Sequence, residues 1–220
     1  MKDETLAFVK FNFSHEKNIA GILNDLWGFG ENLKRQKIAD GFGKAYLNFC
    51  LSQADYAYTL LWENQAVAFL CWNEGAKNKN TKKEKINFFK KKFYFFRALR
   101  FLIPILFTKE FHYQVKAWQA FLAHTAEQEK ELPHSYDAQL LLFINDSKVR
   151  GRGLGKKMLN FFEEKLRAHQ MSSYFLHTDT ECSYAFYDKC GLKRILSKSL
   201  SEKNGSMQEN WQIFVYANEE

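Results

Sequence analysis

Two periods of hydrophobicity run through this chain. Apolar runs of strand length stand toward both ends, and longer stretches with apolar residues every three or four positions lie between them. Thr5–Phe13 reads as a first strand. Glu16–Leu26 reads as a helix, with Ser14 placed to cap it. A loop punctuated by Gly28 and Gly30 follows, and a second helix falls within Gly41–Ser52. Tyr56–Trp62 and Ala66–Trp72 flank Glu63-Asn64-Gln65, the pattern of an antiparallel hairpin.

The pattern changes at Asn73. Glu74–Lys92 is rich in lysine, and Phe93–Phe107 is dominated by Phe and Leu. Lys109–Leu132 then reads as a helix, with Phe111, Val115, Trp118, Phe121 and Leu122 spaced by threes and fours. Pro104 and Pro133 mark breaks. The block from about 74 to 135 is expected to be a helical insertion within one domain spanning residues 1–220.

The last third alternates strand and helix. A continuously apolar strand, Ala138–Ile144, suits a central position covered on both faces. A helix over Gly153–Ala168 gathers Leu154, Met158, Phe161, Phe162 and Leu166 on one side. A strand at Tyr174–Thr178, a short helix at Cys182–Lys189, and strands at Leu192–Ser197 and Trp211–Tyr216 complete the pattern, the last two joined through a turn at Asn204-Gly205.

Composition narrows the class. The chain is 46% hydrophobic over 220 residues, enough for one large domain. Two prolines and 11 glycines argue against a fibrous or disordered protein. No apolar stretch reaches the length of a bilayer span, and the N-terminus lacks the apolar core of a signal peptide. Four cysteines without metal-ligand spacing point to reduced thiols and a cytoplasmic setting, with no metal expected. The formal charge of +7 suits an anionic cofactor, an acidic partner or a membrane surface.

The most specific chemistry lies in Asp137–Gly155, DAQLLLFINDSKVRGRGLG. A strand runs into a basic glycine turn and then into a helix. Glycine lets backbone approach a ligand, and the helix N-terminus offers free N–H groups to an anion. A dinucleotide site would need GxGxxG after the first strand, and a Walker loop would need a hydroxyl after Gly155-Lys156. The turn could also be no more than a tight connection that happens to be basic.

Arg150-x-x-Gly153-x-Gly155 matches the (Gln/Arg)-x-x-Gly-x-(Gly/Ala) signature of the GNAT superfamily, the acyl-CoA-dependent N-acyltransferases. Phe186-Tyr187-Asp188-Lys189-Cys190-Gly191-Leu192 resembles that family's second motif, Phe-Tyr-x-x-x-Gly-Phe. The resemblance covers about 137–197, and the N-terminal order of elements also agrees. It implies a GNAT-like α/β fold: a twisted mixed sheet of about seven strands, helices on both faces, and a helical insertion between the third and fourth strands. It implies that Arg150, Gly151, Arg152, Gly153, Leu154, Gly155 and Lys156 cradle the pyrophosphate of acetyl-CoA. Leu142, Phe143 and Ile144 would line the pantetheine arm, and Ser183 would touch the cofactor. Tyr187 would be the general acid, protonating the departing thiolate. The same residues also have plainer readings: Arg150 and Arg152 as solvated arginines, Tyr187 as a core tyrosine.

An amine with pKa of about 10 must lose a proton before it attacks. Many relatives carry a Glu near the start of the central strand, where Gln139 stands here, and Gln is no base. Asp137, His134, His177 and a water chain are the candidates, with His177 equally readable as structural. The insertion, if helical over Lys90–Phe101, lays Phe93, Phe96, Leu99 or Arg100, and Ile103 on one side, with Arg97 and Arg100 at its margin. Such a helix could rest on an anionic membrane, roof a pocket, or pack on its neighbour with its lysines in water. The expected activity is acetyl transfer from acetyl-CoA to a primary amine by direct attack. The alternative is a non-catalytic CoA-binding or membrane-associated module. Nucleic acid is not an expected partner, because the lysines cluster in one insert without a reading motif.

Overall fold

The structure, a computed structural model, describes residues 5–27, 36–75, 86–199 and 211–218. The glycine loop at Gly28 and Gly30, the lysines of 76–85 and the turn at Asn204-Gly205 lie outside these residues. Seven strands form one sheet in the order β1-β2-β3-β4-β5-β7-β6. In chain order they are β1 (Leu6–Lys10), β2 (Tyr56–Trp62), β3 (Gln65–Glu74), β4 (Ala138–Asn145), β5 (Tyr174–Asp179), β6 (Lys193–Ser199) and β7 (Gln212–Ala217). The helices are α1 (Glu16–Leu26), α2 (Gln36–Gln53), α3 (Phe88–Leu102), α4 (Lys109–Lys130), α5 (Leu154–Ala168) and α6 (Ala185–Lys189). The expected mixed sheet with a helical insertion after its third strand is therefore present.

Local chemistry explains the joints. Glu63 and Asn64 both have positive φ, 48° and 64°, so β2 and β3 close through a tight two-residue turn. Ser14 does not cap α1. Asn12 caps the short 3-10 turn Phe13–His15 ahead of α1, accepting hydrogen bonds from the Ser14 amide and hydroxyl. The amide oxygen of Asn12 reaches the turn that Ser14 is already part of.

One bulge sets the core. Cys71 pairs with Leu142 but Trp72 pairs with Leu140, so Leu141 is the extra residue and the phase of β4 flips there. Ala138 and Leu140 consequently join one core with Trp72, Tyr174 and the α5 residues Met158 and Phe162. Leu142 and Ile144 join the opposite core, with Phe69 and with Ile19, Leu23, Leu47 and Leu51 of α1 and α2. β4 thus serves both faces of the sheet.

The insertion leaves and rejoins the sheet at one point, where the Gly75 amide donates to the Asp137 carbonyl at 2.7 Å. Asn87 caps α3 by accepting from the Lys90 amide, and Thr108 caps α4 by accepting from the Phe111 amide. α3 turns Tyr94 and Ala98 inward onto the α1–α2 core. Arg97, expected at the outer margin, instead points inward and grips the buried carboxylate of Glu16 with two bonds, 3.0 and 2.6 Å. A buried carboxylate needs such a partner. α4 is fixed at its far end, where buried Gln128 donates to the Ile213 carbonyl of β7 at 3.1 Å.

Candidate active site

β4 and β5 are parallel neighbours for only three pairs, Ala138–Tyr174 to Leu140–Leu176. Beyond that point β5 continues along β7 while β4 continues along β3 to Asn145. The two parallel strands splay, and the β5-facing backbone of β4 from Leu141 onward has no strand partner among the described residues. An open strand edge of this kind is a template for an extended ligand.

The glycine turn closes one end of the splay. Gly151 and Gly153 hold φ of 80° and 72°, a conformation costly for residues with a Cβ. The first backbone bond of α5 runs from the Lys157 amide to the Gly153 carbonyl. The N–H groups of Leu154, Gly155 and Lys156 therefore precede the helical ladder and remain available at its positive end. Gly155 packs directly on Phe186, where an added Cβ would come within 3.0 Å of the ring.

A cleft of about 1760 Å³ runs from this turn along the splay and on between the α1–α2 helices and α4. Leu142, Phe143 and Ile144 line it on the strand side. Arg150, Gly151, Gly153, Leu154, Gly155 and Lys156 line it at the turn. Ser183 and Tyr187 line it from the α6 side. Arg152 is the one residue of the sequence-derived set that does not; its guanidinium lies 4.3 Å above the Trp62 ring.

Tyr187 is placed by the turn after α6. The Leu192 amide bonds back to the Tyr187 carbonyl, and Gly191 supplies the left-handed residue, φ 85°, that this closure requires. Burial, with Cys182, Cys190 and Tyr216 nearby, pushes the Tyr187 hydroxyl well above the ordinary tyrosine value. It keeps its proton throughout the neutral range. Burial and the Asp179 carboxylate push Cys182 up to about 12, so that thiol also stays protonated.

The candidate bases separate clearly. Asp137 is desolvated by burial, but bonds from the amides and hydroxyls of Ser172 and Ser173 outweigh this and hold its carboxyl below the usual range. It clamps the loop before β5. His134 packs against Tyr136, the rings tilted with centroids 4.4 Å apart. Neither lines the cleft. His177 does, but burial lowers it to about 4, leaving a neutral ring at pH 7.

A residue missed in the sequence stands beside them. Gln139 donates from Nε2 to Glu129 Oε1 at 2.8 Å, lies 3.5 Å from His177 Nδ1, and accepts from Asn73 at 3.4 Å. Glu129 belongs to α4 and lines the cleft. The amide at position 139, where the resemblance implied a carboxylate, thus holds a carboxylate from the insertion. Its signal in the sequence was weak: one of several glutamates in the last turns of a long amphipathic helix. Beyond Glu129 the cleft is walled by Trp27, Tyr46, Phe49, Trp118 and Phe121, with Asp25 among them. Trp118 meets Phe49 edge-on at 4.7 Å, and Trp27 meets Tyr46 at the same distance.

No curated protein sequence matches the chain. Residues 118–192 match the Acetyltransferase (GNAT) family, a segment that includes the half of α4 bearing Glu129. Solved structures agree over nearly the whole chain. A GNAT-family protein from Desulfovibrio desulfuricans is 10% identical, with a TM-score of 0.51 over 98% of this chain and 99% of its own. An N-acetyltransferase from Staphylococcus aureus is 8% identical, with a TM-score of 0.50 over 97% of each chain. The PaiA N-acetyltransferase from Thermoplasma acidophilum, solved with coenzyme A, is 10% identical, with a TM-score of 0.50 over 97% of this chain and 98% of its own. At these identities the likeness shows the fold, and the match to the Acetyltransferase (GNAT) family rests on residues 118–192.

Proposed function

We propose that this chain is an acyl-CoA-dependent N-acyltransferase, one domain over residues 1–220 that moves an acetyl group from acetyl-CoA to a primary amine by direct attack. One observation carries the reading: the glycine turn, the open edge of β4 and Tyr187 all face a single cleft. The residues fit the donor. The N–H groups at the start of α5, with Arg150 and Lys156, suit a pyrophosphate. Leu142, Phe143 and Ile144 suit an extended pantetheine arm. The donor supplies a thioester carbonyl, and the remaining work is proton transfer by protein groups.

A primary amine enters as a cation at neutral pH. The carboxylates of Asp25 and Glu129 and the rings of Trp27, Tyr46 and Trp118 favour a cation at that end of the cleft. Glu129 accepts one proton from the ammonium and passes it to solvent. The free amine forms the N–C bond as the C–S bond breaks, and Tyr187 gives its proton to the sulfur. The second proton leaving nitrogen restores Tyr187. The protonated state of Cys182 supports direct attack over an acyl-cysteine route.

The test is incubation with acetyl-CoA and a panel of primary amines, reading free thiol and the mass of the N-acetyl product. Thiol release that depends on the amine supports the reading. Coenzyme A binding without thiol release for any amine contradicts it and favours the non-catalytic module.

A further inference from the structure

α3 is apolar on both sides. Its inner side is buried through Tyr94 and Ala98. Its outer side presents Phe89, Phe93 and Phe96 to solvent, with Ile103 and Phe107 exposed beyond the helix end. Phe89 is 79% exposed, Phe96 66% and Phe107 97%. An apolar face of this size on a water-facing helix is rare without a partner.

Charge identifies the partner. Residues 86–108 contain five basic side chains and no Asp or Glu. Lys91 and Arg97 turn inward to Asp55 and Glu16. Lys90, Lys92 and Arg100 remain exposed among the phenylalanines, with Lys92 Nζ 4.5 Å above the Phe88 ring. Two copies of this chain meeting through the face would bring these cations against one another with no acid in the segment to offset them. Phosphate headgroups beside acyl chains offer both complements at once: apolar depth for the rings and anions for cations that snorkel at their margin.

We propose that the outer face of α3 docks the protein on an anionic membrane surface. No helix among the described residues is long and apolar enough to cross a membrane, so this contact is peripheral. Leu102, at the end of the same helix, lines the cleft, and the docked helix therefore joins the lipid surface to the acceptor side. The exposed face itself lies outside the cleft, so docking does not depend on the reaction.

The test is co-sedimentation of the full chain with vesicles of phosphatidylcholine alone and of phosphatidylcholine with about one-third phosphatidylglycerol. Binding to the anionic vesicles is expected to be at least about tenfold stronger, and to fall steeply in about 0.5 M salt. F89S/F96S and K90E/K92E, all at exposed positions, should each lose about tenfold or more of that binding while retaining coenzyme A binding. Absence of binding, or equal binding to both vesicles, overturns the proposal. So does a dimer in sedimentation velocity that F89S/F96S dissolves while vesicle binding is unchanged.

Discussion

The two walls of the cleft are assembled differently. The donor wall is local: strand, glycine turn, helix, strand and short helix follow one another from β4 to α6, and each proposed donor contact sits at a joint between consecutive elements. The facing wall is gathered from distant segments, with Trp27 at the end of α1, Tyr46 and Phe49 on α2, and Trp118 and Glu129 on α4. A local wall is fixed by backbone conformation, above all the positive φ of Gly151, Gly153 and Gly191. A gathered wall is fixed by tertiary bonds such as Gln128 to Ile213 and Gln139 to Glu129. In the proposed reading the first kind holds the acyl donor and the second meets the acceptor.

The largest expected effect falls on the donor wall. Tyr187→Phe keeps the ring packing and removes the proton, so turnover should fall by roughly 10² to 10⁴ with donor KM little changed. Steady-state kinetics read this, and a wild-type rate would remove Tyr187 from the chemistry.

His177 lies at the seam of the walls and gives a pH signature. Its pKa is about 4 in the fold, against 6.5 when free. The unfolded chain binds the proton first as pH falls, so this stability is fully present above about pH 6.5 and is lost toward pH 4. The loss amounts to about 3 kcal/mol. Denaturation of His177→Gln against wild type at several pH values should show the variant losing less stability on acidification. Parallel curves would contradict the assignment.

Breaking the anchor of the insertion comes next. Arg97→Ala leaves the buried Glu16 carboxylate, among the described residues, with only its bond from Asn48, at an expected cost of about 2 kcal/mol. A denaturation midpoint unchanged by the substitution would mean that the insertion is held chiefly by packing.

The smallest effect separates two arginines. Arg150→Ala should raise donor KM by about tenfold, the loss of one charge-assisted contact of about 1.4 kcal/mol. Arg152→Ala should leave donor KM within about twofold and cost about 0.5–1 kcal/mol of stability through its Trp62 contact. Equal rises in KM would return Arg152 to the phosphates.

This contrast also sets what the sequence makes readable. Gly151, Gly153 and the Tyr187–Gly191 spacing are legible because a backbone conformation depends on residue type at a fixed offset. The same holds for the hairpin turn at Glu63-Asn64 and for the three-and-four apolar spacing of α4. Glu129 and the inward turn of Arg97 are not legible. Their meaning depends on which element lies across from them, and no local spacing encodes that. Asn12 displaced Ser14 as the cap for a related reason: a 3-10 turn ahead of α1 moved the first free amides two residues upstream.

In the proposed reaction the insertion supplies the base, Glu129 held by Gln139, and the donor wall supplies the acid, Tyr187. The pH dependence of kcat/KM for Glu129→Gln tests it most directly. A loss of roughly 10²-fold is expected at pH 7. That loss should be recovered as pH rises toward about 10, where the amine deprotonates without help. A Glu129→Gln profile that runs parallel to wild type across that range would contradict it.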